Sequence, residues 1–178
     1  SFDILKSIAG ALTFFLLLFQ LRILDEHKDY QKDLKAHPER MLSKGIITLK
    51  DLRKVLFPII LVQFALNLFL GFEQVIFWLI AFIWTLLMYK EFFVSEFLNK
   101  YQGIYLISHQ LLVPIGLLYV FSHRIPLLIS PIELWGFLFL FLFAVMCLTI
   151  TTEIARKTWS ADREHEFADS YSKFWGIK

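Results

Sequence analysis

A chain of 178 residues that is 57% hydrophobic, with a mean hydropathy of +0.60 and 20 phenylalanines, holds more apolar surface than one soluble core of that length can hide. The apolar residues come in blocks rather than at amphipathic spacing, which excludes an ordinary soluble domain and makes the chain an integral membrane protein. The formal net charge of +2 is small, but the charges are segregated, and no nucleic-acid partner is expected. The single cysteine, Cys147, lies in an apolar run and offers neither a disulfide framework nor a zinc site. Ser1, Phe2 and Asp3 carry no basic n-region and no small-residue cleavage site, so no signal peptide is expected and they read as an internal starting point.

Five apolar blocks follow in order, at 4–24, 55–72, 75–89, 104–123 and 134–152. A spanning helix needs about 20 apolar residues, and backbone amides left unpaired in hydrocarbon force each block to be helical. The expected fold is therefore all-α, a polytopic transmembrane bundle forming one membrane domain over residues 1–178. The third block is short but extends through the apolar-rich Glu91-Phe92-Phe93-Val94-Ser95. Gly71-Phe72-Glu73-Gln74 between the second and third blocks reads as a tight helical hairpin. Pro114 and Gly116 predict a kink in the fourth block. Gln63 and Asn67, one turn apart, suit interhelical hydrogen bonding, and the same role competes with a functional one for His109 and Gln110.

Threading five spans places the loop 25–54 and the tail 153–178 on one side. Nine Lys/Arg fall within 22–54, Lys90 and Lys100 follow the third block, and five more lie in the tail, so sixteen face Lys6 and Arg124 across the membrane. The positive-inside rule makes the rich side cytoplasmic. The expected location is a cell membrane, of the bacterial inner-membrane type, with charged loops in the cytoplasm and the bilayer as solvent.

The first charged stretch carries Asp25, Asp29 and Asp33. No Gly or Pro intervenes before Pro38, so the first helix is expected to run on through them. Spacings of four keep the three carboxylates on one face, drifting about 40° per step at 3.6 residues per turn. Oxygen ligands of this kind suit Mg²⁺, which takes one or two carboxylates together with waters and phosphates. A solvated helix end, with Lys28 and Lys32 pairing to the aspartates, explains the spacing equally well.

The sequence that follows, His37-Pro38-Glu39-Arg40-Met41-Leu42-Ser43-Lys44-Gly45-Ile46-Ile47, together with the ladder, resembles the UbiA-type intramembrane prenyltransferases. Asp25 stands in the Asn/Asp place of their first motif, Asp29 and Asp33 complete it, and Arg40, Leu42, Gly45 and Ile47 match its second element. Met41 departs from the usual proline. Lys90-Glu91-Phe92-Phe93-Val94, Ser108-His109, Glu153-Ile154-Ala155-Arg156-Lys157 and Asp169-Ser170-Tyr171-Ser172 resemble a less studied bacterial branch. The superfamily has about nine helices, and the chain matches the second to the sixth, so it is expected to be part of a longer bundle.

The resemblance implies transfer of an isoprenyl group from a prenyl diphosphate to an acceptor that no residue here identifies, with Mg²⁺ as cofactor. It makes Asp25, Asp29 and Asp33 catalytic and metal-binding. The family's second ladder, Asp-x3-Asp, is replaced by Glu153-x3-Lys157. Glu153 is then a candidate metal ligand and Arg156 and Lys157 candidate diphosphate contacts, while an i,i+4 ion pair between Glu153 and Lys157 accounts for the same residues. Asp162 and Asp169 are further candidates for the missing carboxylate. Arg40, Lys44, Tyr89 and Lys90 complete the expected substrate-binding set. CDP-alcohol phosphotransferases also use aspartate ladders, but Glu26 stands where they carry glycine. A non-catalytic membrane subunit that keeps the fold and binds other membrane subunits is the rival reading.

Overall fold

A computed structural model describes residues 4–160 and 170–176. The described chain is all-helical, with five segments long and apolar enough to cross a membrane: Ile4–Ala36, Leu49–Leu70, Phe72–Tyr89, Gln102–Ser122 and Ile132–Arg156. These define a multi-pass membrane protein. We label the helices α1 (Ile4–Ala36), α2 (Leu49–Leu70), α3 (Phe72–Tyr89), α4 (Ser95–Lys100), α5 (Gln102–Gln110), α6 (Leu112–Ser122), α7 (Ile132–Arg156) and α8 (Tyr171–Trp175).

Helix α1 is 33 residues long, about 50 Å at 1.5 Å per residue, against a hydrocarbon core of about 30 Å. Its apolar part can cross a bilayer while its charged C-terminal stretch from Asp25 onward, with all three ladder aspartates, projects beyond. Thr48 starts α2 with a capping box: Asp51 N donates to the Thr48 hydroxyl at 3.3 Å, and the Asp51 carboxylate accepts from Thr48 N at 3.2 Å. The turn into α3 is tighter than a four-residue hairpin. It is made at Gly71 alone, at φ 140°, where a Cβ would come within 2.9 Å of Gln74 Oε1.

The third span does not continue through Glu91. Helix α3 ends at Tyr89, and Glu91, Phe92 and Phe93 take left-handed φ values of 47°, 53° and 60° in a single 3-10 turn. The fourth span is two helices, broken at Leu111 just before Pro114, which has no N–H to give to the carbonyl of Gln110.

Neutral polar groups tie the first three helices together inside the spans. Gln63 of α2 donates to Gln20 Oε1 of α1 at 3.0 Å, and Gln20 donates to Thr85 Oγ1 of α3 at 3.0 Å. The Trp78 indole donates to Gln63 Oε1 at 2.9 Å. Gln20, Gln63, Asn67 and Thr85 are all fully buried, so these bonds replace water that the hydrocarbon cannot supply. Asn67 bonds the carbonyl of Gln63 within its own helix, at 2.8 Å, rather than a neighbouring helix. Toward the opposite end, Phe77, Trp78, Tyr119, Leu127 and Leu138 form the main apolar cluster, joining α3, α6 and α7.

Candidate functional site at the charged end of the bundle

The C-terminal third of α1, with Asp29, Lys32 and Asp33, and His37 just after it form one wall of a cavity of about 500 Å³. Glu91, Asn99, Gln102 and Tyr105 supply a second wall. Lys157, Ser170, Tyr171 and Phe174, from beyond the end of α7 and from α8, supply a third. Two motifs from opposite ends of the chain therefore face one volume.

Each wall has a local reason to stand where it does. The left-handed turn at Glu91–Phe93 brings the Glu91 carboxylate back to 3.2 Å from Lys28 Nζ of α1. Phe92 sets its ring edge-on against Trp84, at 5.2 Å, and against His109, at 6.1 Å. On the third wall, α8 is anchored by Tyr171 N donating to the carbonyl of Lys157 at 3.0 Å. Trp159 N also donates to Ser172 Oγ, at 3.2 Å. Lys157 lies over the Tyr171 ring, 5.9 Å from its centre. Burial, and then the nearby Glu153 carboxylate, push the Tyr171 phenol up to about 12.

Of the sequence-derived candidates, Asp29, Asp33 and Lys157 line this cavity. Asp25, one turn earlier on α1, is half-buried and not among the lining residues. Arg40 pairs with Asp33 and folds the loop after α1 back onto it. Lys44 is exposed, and Lys90 rests over the Tyr89 ring at 4.9 Å, outside the lining. The Glu153 carboxylate accepts from Arg156 at 2.9 Å and 3.0 Å and lies 3.1 Å from Lys157 Nζ, so the i,i+4 ion pair forms together with an i,i+3 one. Asp162 and Asp169 lie outside the described residues. Lys28, Glu91, Tyr105 and Tyr171 were not among the candidates. The solvated-helix alternative pairs Lys28 with the aspartates; in the structure its ammonium reaches Glu91 and Tyr105.

Two carboxylates one turn apart at a water-accessible cavity suit Mg²⁺, which takes its remaining ligands from water and phosphate. Asp29 and Asp33 meet that requirement. Among the described residues no three acidic, histidine or cysteine side chains gather closely enough to make an all-protein metal cage. No protein-family model matches the chain, and neither does any curated protein or solved structure.

Proposed function

We propose that the chain is the core of a UbiA-like intramembrane prenyltransferase, moving an isoprenyl group from a prenyl diphosphate to an acceptor at the charged, cytoplasmic end of the bundle. The observation that carries this reading is the shared cavity. Asp29 and Asp33 from the first charged stretch face Lys157 from the last across a volume fit for a diphosphate. Asp29 and Asp33 would hold Mg²⁺, which would supply neutralisation of the charge that builds on the leaving diphosphate. Lys32 and Lys157 add positive charge around the same oxygens, and Arg40 holds Asp33 in place. The apolar spans beneath the cavity offer the prenyl chain a water-free path.

One observation favours the rival, a non-catalytic membrane subunit. Glu153 is paired with Arg156 and Lys157, so among the described residues no second carboxylate ladder faces the first. Incubation of the protein with labelled geranylgeranyl diphosphate and Mg²⁺ separates the two. The enzyme reading expects Mg²⁺-dependent binding that falls by about 100-fold in Asp29→Asn, the scale of losing one metal-held charge contact. Absence of binding, or binding indifferent to the substitution, overturns it.

A further inference from the structure

Lys28, Glu91 and Tyr105 have no role in the reading above, yet they form a bonded polar group beside the cavity. Lys28 Nζ donates to the Tyr105 hydroxyl at 3.0 Å and lies 3.2 Å from Glu91. The Lys28 and Glu91 side chains are only 13% and 20% exposed. An ammonium has donors and no lone pair, so in that bond the Tyr105 oxygen can only accept. The single phenolic proton is left to point elsewhere, and Tyr105 lines the cavity.

The ring that carries it is fixed. Tyr105 stacks on His109 with centroids 4.0 Å apart and planes 15° from parallel, and His109 Nδ1 lies 2.9 Å from the Tyr105 carbonyl oxygen. Glu91 is held in reach of Lys28 by three successive left-handed residues, none of them glycine. Such backbone is unfavourable at every position and persists where its surroundings over-determine it, which is the setting of many ligand sites.

We propose that Tyr105 is a ligand-binding residue of this cavity, donating its hydroxyl proton in a hydrogen bond to an anionic oxygen of the bound diphosphate, with Lys28 and Glu91 as the positioning residues that aim it. The inference rests on the diphosphate reading and adds to it a neutral donor that neither charged motif supplies. It also assigns the left-handed turn a purpose: Glu91 neutralises Lys28, so that the lysine orients the phenol.

The test is calorimetric titration of the whole protein in detergent with pyrophosphate and Mg²⁺. Tyr105→Phe keeps the ring and its stacking and leaves Lys28 paired with Glu91, so the protein should stay folded with a small drop in thermal midpoint while affinity falls about 10-fold, the lower end for a hydrogen bond to a charged group. Lys28→Met should weaken binding as well, and Lys28→Arg should restore most of it. Wild-type affinity in Tyr105→Phe overturns the inference and leaves the cavity reading standing. No binding by the wild type removes both. A loss in Lys28→Met that Lys28→Arg does not restore, accompanied by a lowered thermal midpoint, makes Lys28 a structural prop and overturns its positioning role.

Discussion

The two polar regions of this molecule are made from different chemistry. Within the spans, Gln20, Gln63 and Thr85 are neutral, fully buried and bonded to one another across three helices. At the end of the bundle, Asp29, Lys32, Asp33, Glu91 and Lys157 are charged and surround a cavity. An unpaired charge in hydrocarbon costs several kcal/mol, whereas amides that find each other cost little and fix helix register. Beyond the hydrocarbon, water lowers the cost of charge, and ionic groups can stand around an open volume. The interior region holds helices together, and the terminal one lines an open cavity.

That contrast can be broken by substitution, and the largest effect is expected at the cavity. Asp29→Asn should lower the Mg²⁺-dependent affinity for pyrophosphate by about 100-fold with little change in the thermal midpoint, measured side by side on one preparation. Gln63→Leu should behave in the opposite way. It strands Gln20 Oε1 and the Trp78 indole, and should lower stability by about 1–2 kcal/mol in a reversible unfolding assay, with affinity for pyrophosphate unchanged. If Gln63→Leu abolished binding while Asp29→Asn unfolded the protein, the division of labour would be reversed.

Smaller effects sharpen the picture of the walls. Phe93 is 77% exposed at φ 60°, so Phe93→Gly removes left-handed strain without removing a buried contact. It should stabilise the protein by about 1 kcal/mol, read from the same unfolding curves. Tyr171, with its phenol pushed up to about 12, is favoured neutral in the folded state. Its contribution to stability is fully present below about pH 10, the ordinary tyrosine value, and is lost as pH rises through about 12. Tyr171→Phe should therefore flatten the decline in stability between those limits.

Much of the architecture was legible because hydrocarbon imposes a simple rule. Five apolar blocks became five spans, and the absence of Gly and Pro between Arg22 and Pro38 let α1 run through the ladder to Ala36. Where local sequence carries no mark, reading failed. Glu91, Phe92 and Phe93 are ordinary residues, and only their tertiary contacts with Lys28, Trp84 and His109 explain a left-handed turn that ends the third span early. Gln63 announced itself as a polar residue in a span, but its partners Gln20 and Trp78 lie on other helices. The site shows the same division. Asp29, Asp33 and Lys157 could be named from spacing and resemblance, whereas Tyr105 and Tyr171 enter the cavity through the crossing of distant segments, which no local pattern encodes.

The central claim is that the two charged motifs act on one ligand. Calorimetric titration with pyrophosphate, with and without Mg²⁺, tests it most directly on the wild type, Asp29→Asn and Lys157→Met. The expected result is Mg²⁺-dependent binding to the wild type that Asp29→Asn weakens about 100-fold and Lys157→Met about 10-fold. Binding that needs no Mg²⁺, or that survives both substitutions, would contradict the account.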